Sequence, residues 1–451
     1  MSLVSPDNIR RNVSVAWPLA LNSILILSMS LIDVLLIAPL GESAIAALGV
    51  ASALMAFFTG IQFALASGSQ LVIARYCGAG NLIGAAKAVL AGGLINGLVS
   101  MLMLVGLLLG LPSLLAAIIH NAAVEALAQT YMTVMMWVLI PSSLSQVMMA
   151  YYNGFGKTRI PLQGFLLEIP INIGVSIVLI YGYLGFDSLG LVGAAIGSLV
   201  AVTLRLLYLS WRLSRDPIAT RLRPITQLSR STISLHFKEI APIAANFITL
   251  RSGVLVYQVL FAQLDVYAYA AITLVLPWVQ MGANVVAAWS HATAINVSQF
   301  LGHNDTRSIP GFITQAIRIS LVLAVCLSLA FLCLSLALPG LYPDMHAQTL
   351  QALVIIAPIY ILLPLVRTYN GLCGTTLRAL GQSFGVLRVH FVTQWLVGIP
   401  LLAFLVFQSA PLLLVFGVML LEESLKVVFF RRNIQRTLHT IDQPGVTALS
   451  K

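Results

Sequence analysis

Long, unbroken apolar runs constrain this chain more than anything else in it. A helix needs about 20 consecutive apolar residues to cross the hydrocarbon core of a bilayer. Such runs occur over roughly 15–39, 44–71, 84–110, 126–154, 159–183, 189–213, 238–263, 268–299, 310–337, 347–377, 385–407 and 410–430. They are continuous, whereas the strands of a membrane β-barrel alternate apolar and polar residues. Charged residues make up 8% of the chain, against about 25% in a soluble domain. The expected fold is an all-α membrane protein with twelve transmembrane helices.

The net charge of +10 does not point to nucleic acid, because the basic residues gather at helix ends instead of on one face. With Arg10 and Arg11 on the cytoplasmic side, Arg75, Lys157, Arg159, Arg212, Arg215, Arg221, Arg223, Arg378, Arg431 and Arg432 fall on inner connections and tails. Glu42, Glu125, Asp187, Asp265 and Asp344 fall on outer ones. This is the positive-inside pattern, and it places both termini in the cytoplasm. The four cysteines, Cys77, Cys326, Cys333 and Cys373, form no CxxC pair, so neither a disulfide framework nor a metal site is expected. No cofactor is expected either. Gly-x-Ser-x-Gly, His-Glu-x-x-His and P-loop patterns are missing, which argues against an enzyme.

The polar, basic connection over 214–237 divides the chain near its midpoint, and the two halves repeat. "WPLALN" and "APIAAN" place Pro18 and Pro242 224 residues apart; "ARYCGAGN" and "SQFLGHND" place Gly78 and Gly302 at the same offset; "NGFGKT" and "RALGQS" place Gly156 and Gly381 225 apart. Six helices per half make these parallel repeats, related by an axis along the membrane normal. The expected organisation is a bundle over 1–213, a cytoplasmic linker over 214–237, a second bundle over 238–437 and a cytoplasmic tail over 438–451. Two pseudo-symmetric six-helix bundles around a central cleft suit alternating-access transport.

Several segments carry a resemblance: Pro18 fifteen residues before Asp33, "LIDVLLIAPLG", "ARYCGAGN", "NGFGKTRIP", "PINIGVSIVLIYG", "LGLVGAAIGS", "LRALGQS" and "QWLVGIP". In this order, across nearly the whole chain, they resemble the multidrug and toxic compound extrusion (MATE) family. The resemblance implies a multidrug efflux transporter of a bacterial inner membrane, exporting amphipathic, cationic drugs or xenobiotics by antiport. It assigns Asp33 as the acid protonated during the cycle and Pro18 as the residue about which the first helix bends. The chain also departs from the family. Ser176 replaces the acid of an Asn-x-x-x-Asp pattern that begins at Asn172. Leu250 and Gln382 stand where some members carry acids in the second half. The first argues against a two-aspartate proton site; the two in the second half remove a sodium site there and favour protons over sodium. The alternatives are a sodium-coupled exporter and a lipid-linked polysaccharide flippase of the same superfamily. A monomer in the lipid bilayer is the default assembly.

The intramembrane polar residues fit that frame on physical grounds. An acid at the centre of a spanning helix costs about 2.5–3.5 kcal/mol on insertion scales and is functional by default. Asp33 shares a helical face with Asn22 and Ser30, and desolvation raises the pKa of a carboxylic acid, so a proton-coupling role is expected. Glu168, Asn172 and Ser176 follow at four-residue spacing on one face; Glu168 is expected in the proton path, and Asn172 and Ser176 either line the cleft or bond helix to helix. In the second half, Arg251, Tyr257 and Gln258 are expected to line the cleft, with Arg251 either pairing with an acid or binding a substrate carboxylate. Glu422, Glu423 and Lys426 are read as an interfacial ion pair near the inner end of the last helix.

Overall fold

The computed structural model describes residues 6–216, 228–341 and 346–441. Twelve helices account for the described chain: α1 (Pro6–Ile37), α2 (Glu42–Gly78), α3 (Leu82–Ile118), α4 (Ala122–Gly154), α5 (Arg159–Tyr181), α6 (Leu191–Ser214), α7 (Arg230–Phe261), α8 (Val266–Gly302), α9 (Ser308–Leu341), α10 (Ala347–Ala379), α11 (Ser383–Phe407) and α12 (Leu412–Ile441). No strand occurs among the described residues. Ten helices are long and apolar enough to span a bilayer, so this is a multi-pass membrane protein. Of the other two, α8 contributes the shorter apolar stretch Val266–Leu276, and α12 carries several charges.

Local chemistry sets the helix ends. Asn81 caps α3 by accepting from the Gly84 N–H, Asn121 caps α4 by accepting from Ala123 and Val124, and Asp265 caps α8 by accepting from Tyr267 and Ala268. Each satisfies N–H groups that the first helical turn leaves open. Gly182 ends α5 in the left-handed region, at φ 74°, where a Cβ is disfavoured. The linker expected over 214–237 is shorter in the structure. Ser229 Oγ accepts from the Thr232 N–H and starts α7 at Arg230, so the stretch read as linker ends in helix. Residues 217–227, with Arg221 and Arg223, lie outside the described residues, as do Asp344 and the tail beyond Ile441.

The chain forms two compact units, but their limits differ from the bundles expected from the sequence. One unit is Leu21–Ala244; the other combines Met1–Ala20 with Ala245–Lys451. The first turns of α1 belong to the second unit, and the first turns of α7 belong to the first. Both changeovers fall two residues after a proline inside a helix, Pro18 and Pro242. Proline removes one helical hydrogen bond and clashes with the preceding turn, so each helix is weakest where it passes from one unit to the other.

Matching polar contacts anchor the exchanged ends. In the first unit, His236 Nε2 and Ser69 Oγ are 2.9 Å apart, and Arg75 lies 3.7 Å from Glu239. In the second, Asn12 donates to Thr293 Oγ1 at 3.1 Å and accepts from Asn296 at 3.0 Å, while Arg11 donates to Gln299 at 2.7 Å. Asn12 and His236, Ser69 and Thr293, and Arg75 and Gln299 are each 224 residues apart. The repeat thus extends to a buried contact, Ser69–His236 in one unit and Thr293–Asn12 in the other; Arg75 and Gln299 keep the offset, but their partners Glu239 and Arg11 do not.

Each unit has one large apolar cluster. In the first it gathers Ile37, Leu48, Leu107, Leu111, Leu115, Tyr131, Met132 and Leu139; in the second, Phe261, Val275, Leu353, Ile356, Tyr360, Leu402 and Phe416. Elsewhere in the first unit the packing is polar. Gln62 donates to Ser100 and to the Leu139 carbonyl, Asn96 donates to the Gln62 carbonyl, and Asn153 donates to Gln70. Without water in a bilayer core, buried amides must find partners inside the protein, and here they join α2, α3 and α4.

Candidate ion-coupling and substrate site

Five carboxylates sit inside helices away from the first and last turns among the described residues: Asp33, Glu168, Glu239, Glu422 and Glu423. Four of them have a basic partner. Glu239 faces Arg75, Glu168 faces Arg205, and Glu422 and Glu423 share Lys426. Asp33 forms no ion pair among the described residues, and its Oδ1 is buried without a hydrogen-bond partner. It lies on α1 one turn before the core residue Ile37, within electrostatic reach of the buried Tyr131 on α4. Of its expected companions, Asn22 is buried with its own Oδ1 unpartnered, and Ser30 is exposed.

Glu168, Asn172 and Ser176 do share one face of α5, and that face packs against α6. Glu168 Oε2 lies 2.5 Å from Arg205 Nη1, with the two residues 2% and 6% exposed. The Arg205 guanidinium lies 4.6 Å above the Phe165 ring. One turn on, Asn172 donates to Ser198 at 3.0 Å. A turn further, Ser176 rests against Gly197, where any Cβ would collide with the Ser176 hydroxyl. At Gly193 a Cβ would come within 2.6 Å of the Leu179 backbone. Small residues on α6 therefore admit the polar ladder of α5, a common way for spanning helices to associate. Asn172 makes the helix-to-helix bond; Ser176 packs against α6 with its hydroxyl buried and without a partner.

The second unit answers Asp33 differently. Its repeat partner Tyr257 is buried and donates its hydroxyl to Glu422; it lines no open surface. Arg251 and Gln258 are exposed on one face of α7. Arg251 lies 5.5 Å from the centre of the Phe247 ring and makes no ion pair among the described residues. Glu422, Glu423 and Lys426 sit mid-helix and not near its inner end. They lie about 15–21 Å along α12 from Leu412, at 1.5 Å per residue, and Glu422 and Lys426 are buried. The helix runs to Ile441, eleven residues past the expected end, which moves the cluster into the middle.

Arg205 was not expected from the sequence. A signal for it exists: two antiparallel helices bring residues equidistant from their turn to one level. Glu168 and Arg205 are equally far from the connection after Gly182, so a buried acid there calls for a base at that position.

All-helical architecture and an internal repeat make this a multi-pass membrane protein built of two related halves. The chain matches the MatE family model over residues 18–178. It is 22% identical over 403 residues to a probable multidrug resistance protein NorM of Rhizobium meliloti, covering 87% of this chain and 85% of that protein. A protein of the same description from Synechococcus is 26% identical over 424 residues, covering 88% and 87%. The solved structure described as a MATE in the bent conformation superposes with a TM-score of 0.86 at 16% identity, covering 98% of both chains. These similarities are to MATE-family multidrug efflux transporters and not to enzymes.

Proposed function

We propose that this transporter exports amphipathic cationic drugs or xenobiotics in exchange for protons, by alternating access, with Asp33 as the coupling acid. The observation that carries this reading is the isolation of Asp33. It alone among the five internal carboxylates lacks a base, so its charge is free to be answered by a proton in one state and by a substrate cation in another. Glu168, held by Arg205, fastens α5 to α6 and carries no proton. Pro18 supplies the bend in α1 that couples the state of Asp33 to movement. The basic residues at helix ends support cytoplasmic termini; a bacterial inner membrane follows from the similarity to MATE transporters, and a monomer is the default assembly.

Inverted membrane vesicles with an acid interior test this. A transported cationic compound should dissipate the pH gradient with the wild type and not with Asp33→Asn. Dissipation that survives Asp33→Asn would remove Asp33 from the coupling step. Sodium-driven uptake without proton movement would favour the sodium-coupled reading. The exposed Arg251 supports a second reading, transport of lipid-linked anionic substrates. Flipping of such a lipid in proteoliposomes, lost in Arg251→Ala, would establish it.

A further inference from the structure

The second unit holds a dense charge cluster that coupling at Asp33 leaves unused. Lys426 on α12 is 3% exposed, and its Nζ lies 2.6 Å from Glu422 Oε1 and 3.1 Å from Glu423 Oε1. Glu422 also accepts from the Tyr257 hydroxyl on α7. Glu423 also accepts from Asn370 Nδ2 at 2.7 Å and lies 3.9 Å from Arg367, both on α10. Asn370 Oδ1 is buried and receives no hydrogen bond. A π turn, Val392–Gly398, interrupts α11 beside the cluster. At Gly398 a Cβ would run into the Tyr257 hydroxyl and come within 3.1 Å of Glu422 Oε2, so the absence of a side chain there leaves the room that the cluster occupies. Such π turns recur at functional sites.

Two carboxylates hold the Lys426 ammonium, backed by a phenol oxygen on Glu422 and an amide side chain on Glu423. That is an oxygen donor set of the kind hard cations take, filled by an ammonium tethered to the wall. We propose that Lys426 Nζ serves as a built-in cation in an oxygen-lined pocket of Glu422, Glu423, Asn370 and Tyr257, and that the pocket takes a free alkali cation once the ammonium is removed. Lys426 thereby bars sodium from the second unit and restricts the choice of coupling ion. The choice of ion rests on the antiport reading; the pocket does not, since Asp33 belongs to the other unit.

Purified full-length protein in detergent at mildly alkaline pH provides the test. Sodium chloride is titrated against choline chloride at constant ionic strength while the thermal midpoint is followed. The wild type should not respond to the exchange. Lys426→Met should start lower in choline and rise saturably with sodium, by roughly 3–5 °C at a hundredfold excess over Kd. Lys426→Met with Glu422→Gln, which removes one carboxylate charge, should lose that rise. A folded Lys426→Met with the same midpoint in sodium, potassium and choline would overturn the proposal, as would a saturable rise in the wild type. Lys426→Gln, read in the same way, guards against misfolding of the methionine variant. Failure of both variants to fold in any of the three salts would also count against the pocket. Because the readout is stability, loss of proton coupling at Asp33 would leave this result unchanged.

Discussion

Breaking the Glu168–Arg205 pair separates a structural acid from a proton carrier. Both residues are almost fully buried, and the only ion pair either makes among the described residues is with the other, at 2.5 Å. Removing one partner strands the other charge, at a cost of about 3–5 kcal/mol. Replacing both with apolar side chains of similar volume is close to neutral. Glu168→Leu and Arg205→Met should therefore each lower stability strongly, and the double variant should recover most of the loss. Arg205→Lys should recover little, because lysine lacks the planar fork and the stacking on Phe165. The assay is thermal unfolding of the purified protein in detergent, followed by proton release in vesicles for each variant that folds. The double variant should fold and still couple protons. Single variants with unchanged stability, or a stable double variant that no longer moves protons, would refute the structural role and return Glu168 to the proton path.

Three further outcomes follow from the packing. Gly193→Ala should cost about 1–3 kcal/mol, because the new Cβ meets the Leu179 backbone, which cannot rotate away; thermal midpoint and membrane yield would both fall. Ser69→Ala and Thr293→Ala should each cost about 1–3 kcal/mol by leaving a buried polar group unpaired. Because they lie in different units, their effects on unfolding should add; a double variant no worse than either single one would contradict the paired anchoring of α1 and α7. Gly398→Ala should disturb the Tyr257–Glu422 contact and lower stability more than Gly174→Ala, whose added Cβ meets nothing within 4 Å.

The sequence displays its helices because every spanning segment must be apolar along its length. It displays Asp33 because an acid in such a run stands out. Relations between helices are less visible. Glu168 reads as a proton carrier when α5 is taken alone; its partner is 37 residues away, and only the level match across the α5–α6 hairpin points to it. The apolar run fades near residue 430, while the helix continues to Ile441, so the sequence places Glu422 and Lys426 nearer the helix end than the structure does. The exchange of α1 and α7 between units is a matter of which surfaces the first turns pack on, and spacing within one helix does not encode that. The repeat offset, carried from the prolines to Asn12, His236, Ser69 and Thr293, does show that both halves solved the packing in the same way.

The central claim is that Asp33 holds the proton which substrate displaces. The most direct measurement is proton release on adding a transported cationic compound to purified protein in a weakly buffered solution. The account predicts about one proton released per compound bound by the wild type and none by Asp33→Asn, with Glu168→Leu/Arg205→Met behaving as the wild type. Equal release from Asp33→Asn, or binding by the wild type without any release, would contradict it.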